Sequence, residues 1–178
     1  PQTFESAVAD IYQEMGEIRL LIYNVRGRFD SCMPLDMTYE ALEKTYQEEV
    51  VGAFAAAKAV LPNMIEKGQG SIFFSSATAA LRGSARFSLY AIGKFGLRAL
   101  SQSLAKAYAV DGIHIAHFRL DCNLDVPVMK ELFGSDYDPR NFADPDDVAQ
   151  TYWLTFQQPK SAWSNEVEIR PYTEEWTY

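Results

Sequence analysis

Tyr90 and Lys94 stand four positions apart in Tyr90-Ala91-Ile92-Gly93-Lys94. On a helix, residues i and i+4 leave the same face one turn apart, so this phenol and this ammonium can act on one substrate. A cation beside a phenol favours the phenolate. The spacing therefore predicts that Lys94 draws the Tyr90 pKa below its ordinary value of about 10, toward the range useful for general acid/base chemistry. The pattern has little specificity alone, because a tyrosine and a lysine one turn apart also occur on ordinary solvent-facing helices. His114 and His117 fall three apart in a predicted strand, so they point to opposite faces and do not form a shared metal site. Cys32 and Cys122 are far apart and lack metal spacing; Cys122 reads as a small buried residue rather than a reactive thiol.

The elements that must position these groups follow from periodicity. Phe4, Val8, Ile11, Tyr12 and Met15 mark one face of a first helix, and Gly16 follows where a C-cap glycine belongs. Ile18 to Tyr23 is a short apolar run, as expected of a strand covered on both faces. Thr38 to Lys67 carries a long amphipathic pattern that Pro62 is expected to kink or shorten. Ser71 to Ser75 reads as a second buried strand, Phe87 to Val110 as a long helix ended by Gly112, and Ile113 to Leu120 as a third strand. A looser stretch runs to about Phe142, Pro145 to Phe156 is a helix opened by acidic residues, and Glu166 to Ile169 fits a last strand. Helix and strand alternate, the order that gives a parallel sheet with crossover helices. The acidic aromatic stretch from Tyr172 to Tyr178 fits no template and is expected to cover an edge or a neighbour.

The chain has 178 residues, 48% of them hydrophobic, enough to bury the core of one domain and too few for two ordinary ones. A net charge of −8 argues against nucleic-acid or anionic-membrane partners, which this surface would repel. No run approaches a membrane span and the amino end lacks a signal pattern, so a soluble protein without membrane insertion is expected. Cysteine usage points to a reduced intracellular compartment, cytoplasmic or organellar matrix. Trp153, Trp163 and Trp176 read as packing or interface residues.

Tyr23-Asn24 closing one strand, Phe74-Ser75-Ser76 closing another, Gly83, and the Tyr90/Lys94 helix continuing as Lys94-Phe95-Gly96-Leu97-Arg98-Ala99-Leu100 occur in this order. In that order and spacing the chain resembles the short-chain dehydrogenase/reductase (SDR) family, from about Phe4 to Pro127. The resemblance implies an α/β fold, a Rossmann-like doubly wound parallel sheet in three layers, with residues 1–178 forming a single domain. It implies an NAD(P)-dependent oxidoreductase that transfers hydride between NAD or NADP and a carbonyl or alcohol substrate. Carried over, Tyr90 exchanges the proton, Lys94 holds the nicotinamide ribose, and Ser76 hydrogen-bonds the substrate carbonyl, with Thr78 in reserve. Asn24 and Tyr23 join Lys94 as cofactor-binding residues. The resemblance also implies a homo- or hetero-oligomer packed through the two long helices, where Ala53, Ala55, Ala56, Ala57, Gly93 and Gly96 permit close approach.

The chain departs from the family pattern at identifiable positions. Glu49 stands where the family has an asparagine in a water-linked proton relay, and its carboxylate either relays protons or faces solvent. Arg26 replaces a glycine beside the cofactor, Asp121-Cys122 replaces a Pro-Gly turn, and Asp125 replaces a threonine. The glycine-rich phosphate loop G-x-x-x-G-x-G occurs nowhere in the sequence. The resemblance is thus to the C-terminal catalytic portion, and the N-terminal nucleotide-binding portion, with the first βαβ units, is expected to be missing. Such a chain alone is expected not to bind NAD(H) or NADP(H) tightly. Two other readings stand beside the enzyme: a non-catalytic SDR-like structural subunit of a larger assembly, and an unrelated flavodoxin-like binding module.

Overall fold

The computed structural model describes residues 2–27 and 29–173; most of the stretch from Tyr172 to Tyr178, with Trp176, lies outside them. Helix α1 (Gln2–Met15) ends at Gly16, whose φ of 85° is the left-handed cap a glycine supplies. Strand β1 (Leu20–Tyr23) follows. Thr38 caps the next helix by accepting from the Ala41 N–H, and α2 (Tyr39–Tyr46) leads through a π-turn, Gln47–Val51, into α3 (Gly52–Lys67). Strand β2 (Gly70–Ala77), helix α4 (Ser88–Tyr108) and strand β3 (Ile113–Leu120) complete the central alternation.

The four-stranded sheet has the order β1-β2-β3-β6, with β6 spanning Glu166–Ile169 and every pairing parallel. This is the Rossmann-like α/β arrangement, and β1 lies at one edge of the sheet among the described residues. Two cores sandwich the strands. Ile72, Phe74, Ile113 and Ile115 face α1, α3 and α4, packing on Ala53, Ala57, Val60 and Leu97. Phe73, Ala116 and Phe118 face the opposite side, where Tyr152 of α6 (Pro145–Phe156) stacks on Phe118 at 3.7 Å. Alternation along a strand sends successive side chains to opposite layers, which is why β2 and β3 read as continuous apolar runs.

Two expectations need correction. Pro62 neither ends nor shortens its helix, which continues to Lys67 and closes on Gly68 in the left-handed region. Pro62 lies on the exposed side, so the carbonyl deprived of its partner faces water. A separate irregularity falls at Gln47–Val51, where the Gly52 N–H reaches back to the Gln47 carbonyl. The stretch from Asp121 to Phe142 is also more ordered than its pattern suggests. It holds the short helix α5 (Pro127–Phe133) and a two-residue parallel pairing of β4 (Asn123–Leu124) with β5 (Phe142–Ala143). Among the described residues, no helix is long and apolar enough to cross a membrane.

Candidate active site

The carboxyl ends of parallel strands are where such sheets gather ligands, and the chemistry-bearing residues collect there. Helix α4 starts beside this edge, and its first turns carry Tyr90 and Lys94 inward. Lys94 is only 2% exposed, so the surface-pair reading of the two residues does not hold. Its ammonium has three N–H donors. It donates to Glu49 Oε2 at 2.8 Å, to the Val25 carbonyl beyond β1 at 3.3 Å, and to the Ser75 carbonyl at 3.3 Å. The ammonium also lies 5.6 Å from the centre of the Tyr90 ring. One lysine thus ties together two strand ends, the π-turn and its own helix.

Glu49 is the residue whose role sequence reasoning left open. Of the two alternatives, facing solvent is excluded, because the side chain is fully buried. Its Oε1 accepts the Gly27 N–H at 2.8 Å while Oε2 holds Lys94. The backbone around it is built to fit, since a Cβ at Gly93 would lie 2.7 Å from Glu49 Cγ, inside contact distance. The π-turn places Glu49 on the face of the helix turned toward α4, a displacement that a regular 3.6-residue period does not predict. The signal that was available is electrostatic: a lysine forced into the core needs a counter-charge, and Glu49 is the acidic residue at the family's relay position.

The environment of Tyr90 follows from these contacts. Its ring packs edge-on against Phe29 at 5.0 Å, and Phe29 stacks on Phe87 at 4.7 Å. Arg26 sits 5.3 Å over Phe29. Burial, and next the Glu49 carboxylate, push the Tyr90 phenol up to about 12, against a lowering pull from Arg26. The expectation that Lys94 lowers this pKa is therefore corrected. Lys94 is already paired with a carboxylate, so Tyr90 faces a neutral pair rather than a free cation. Burial likewise pulls the Lys94 ammonium down, and Glu49 opposes that pull.

The remaining sequence-predicted residues fall as follows. Ser76, near the end of β2, is 4% exposed and its hydroxyl has no hydrogen-bond partner among the described residues. Thr78, the reserve for that role, is committed: its hydroxyl donates to Asp121, which also pairs with Arg170. Asn24 is exposed and lines a cleft of about 380 Å³ together with Ile22, Leu124, Tyr152 and Trp153. Tyr23 points the other way, into the helical layer, where its phenol donates to the Glu48 carbonyl. Only its backbone is left at the strand end. Asp125 accepts from Tyr137 at 2.6 Å and pairs with Lys130 at 2.9 Å, which ties α5 to the loop behind it. His114 stacks on Trp163 at 4.8 Å, whereas His117 bonds Glu166 at 2.9 Å from the opposite face. Cys122 is half-buried.

The nicotinamide end of a dinucleotide fits part of this geometry. The apolar cleft with Asn24 and Ser75 at its wall suits a flat ring, and on the other face of β2 the Ser76 hydroxyl suits a carbonyl oxygen. The Lys94 donors, by contrast, are all taken.

Comparison with known proteins places this geometry in context. The family model described as short chain dehydrogenase matches residues 1–122. An uncharacterized oxidoreductase of Staphylococcus saprophyticus is 26% identical over 159 residues, which cover 89% of this chain and 66% of that protein. The chain thus spans just under two thirds of that relative's length. A short-chain dehydrogenase from Rhodopseudomonas palustris is 34% identical, with a TM-score of 0.75 over 94% of this chain and 70% of its own. An alcohol dehydrogenase from the archaeon Thermococcus sibiricus, complexed with 5-hydroxy-NADP, is similar in fold alone. It has a TM-score of 0.82 at 15% identity, covering 99% of this chain and 73% of the other.

Proposed function

The chain belongs to the short-chain dehydrogenase family, and we propose that it serves in a nicotinamide-dependent oxidoreductase acting on a carbonyl or alcohol, with Tyr90 as the acid/base. The observation that supports this most is the position of Lys94. Its ammonium reaches the Tyr90 ring, the end of β1 and the Ser75 carbonyl, one residue from the unpartnered Ser76 hydroxyl. Ser76 donates to the substrate oxygen and holds it, and Tyr90 gives that oxygen a proton as the carbon is reduced. Asn24 and the backbone of Tyr23 hold the nicotinamide ribose, and Lys94, with its three donors taken, braces the strand ends around it. NAD or NADP, when bound, supplies the two electrons as hydride. These 178 residues hold no glycine-rich phosphate turn, so by themselves they bind the dinucleotide weakly.

The protein works as a homo- or hetero-oligomer through its long helices. Ala53, Ala56, Ala57 and Gly93 are buried inside the subunit, but Tyr46, Phe54, Ile92 and Phe95 stand exposed on α2, α3 and α4. A second reading, a non-catalytic subunit of the same fold, is favoured by the closed Lys94–Glu49 pair. The two are separated by supplying the protein, as its source produces it, with NADH or NADPH and a panel of aldehydes and ketones. Carbonyl-dependent loss of nicotinamide absorbance is expected. No consumption with any member of the panel would favour the structural subunit.

A further inference from the structure

We infer that Glu49 sets the direction of proton traffic at Tyr90: by closing the Lys94 ammonium into a buried pair, it keeps the phenol protonated, the form that hands a proton to a carbonyl oxygen. This rests on the reading of Tyr90 as the proton-exchanging group. The three N–H donors of Lys94 meet three acceptors, and Glu49 Oε1 is fixed by the Gly27 N–H, so neither member of the pair is free to turn toward the phenol. Gly93 leaves room for the carboxylate and for nothing larger than hydrogen at its own α-carbon. At the phenol, the attraction of the ammonium and the repulsion of the carboxylate oppose each other.

Among the described residues, the charged groups that face Tyr90 are Glu49 from the π-turn, Arg26 from the loop after β1, and Lys94 from α4 itself; Phe29 covers the ring without charge. Of the two cations, Arg26 is exposed and screened by water, and Lys94 is buried but neutralised. Burial then decides, and the phenol stays up at about 12. In the reducing direction the O–H bond of Tyr90 breaks as a new one forms on the substrate oxygen, and the phenolate regains its proton from water. In the oxidising direction the phenolate must exist beforehand, and near neutral pH it is scarce. Glu49 is thus a positioning residue, acting through Lys94, and it tunes the site toward carbonyl reduction.

The test is spectroscopic and needs neither cofactor nor substrate. Phenolate absorbance of the protein is titrated, and the signal of Tyr90 is isolated as the difference from the Tyr90→Phe variant. In the parent protein Tyr90 is expected to remain a phenol at pH 10, with about one part in a hundred ionised two units below its midpoint. In Glu49→Gln, which keeps the shape and removes the charge, the midpoint is expected to fall by at least about one pH unit. A parent Tyr90 that ionises at or below its ordinary value overturns the inference whether or not the variant folds. So does a Glu49→Gln midpoint equal to or above that of the parent. Because no turnover is measured, these outcomes are independent of the functional reading. A reductase whose Tyr90 titrates normally loses only this inference, and an inert protein with the expected titration loses only the reading.

Discussion

Ser76 and Thr78 show how single side chains divide the work at the strand end. Both stand near the expected spacing from Tyr90, and the sequence alone favours Ser76 with Thr78 in reserve. Asp121, where the family has a proline, claims the Thr78 hydroxyl, and the Ser76 hydroxyl is left buried and unpaired. Burying an unpaired hydroxyl costs roughly 1–3 kcal/mol, a cost that a substrate oxygen bonded to Ser76 would offset. Ser76→Ala is accordingly expected to leave the melting temperature unchanged or slightly raised, while turnover falls by about 10–100-fold through loss of one oxygen-positioning donor. Melting and steady-state kinetics on the same preparation check both halves; unchanged turnover would remove Ser76 from the site. Tyr90 and Lys94 were legible because an i, i+4 spacing survives any helix packing. The sign of the Tyr90 shift was not, because it depends on Glu49, which lies 90 − 49 = 41 positions away.

At the scale of elements, the π-turn between α2 and α3 and the glycines of α4 form one device. Thr45, Glu49 and Val50 press on Gly93 and Gly96, so the two helices approach closely enough for the carboxylate to reach Lys94. Gly93→Ala would gain about 1 kcal/mol of helix propensity but push on a side chain pinned at both oxygens, an overpacking cost of up to about 3 kcal/mol. A net loss of about 2 kcal/mol is expected in urea unfolding. Gly83→Ala is the control, since a Cβ there meets nothing within 4 Å, and should be neutral within about 0.5 kcal/mol. Equal effects at both positions would contradict the fitted contact. Most element boundaries were readable from periodicity because strands buried on both faces and amphipathic helices have distinct repeats. The π-turn and the pairing of β4 with β5 were not, because the one adds a residue within a helical pattern and the other is too short to show a period.

For the whole molecule, an open sheet whose candidate site lies at the strand ends makes that site a property of several loops at once. Its order of strands and helices was legible because alternation constrains topology strongly. Of the small residues on these helices, Ala53, Ala56, Ala57 and Gly93 pack inward, while the bulky Tyr46, Phe54, Ile92 and Phe95 face out. Sedimentation at tens of micromolar is expected to show an oligomer, and Phe54→Glu with Phe95→Glu should dissociate it without unfolding the subunit. A parent protein that sediments as a monomer would contradict this. The claim on which everything else depends is that Tyr90 exchanges the proton. It is tested most directly by Tyr90→Phe in the carbonyl-reduction assay, with the protein as its source produces it. The ring and its contact with Phe29 are retained and only the donor is lost, so turnover is expected to fall by at least about 100-fold with folding intact. Turnover within a factor of about two of the parent would show that the proton comes from elsewhere.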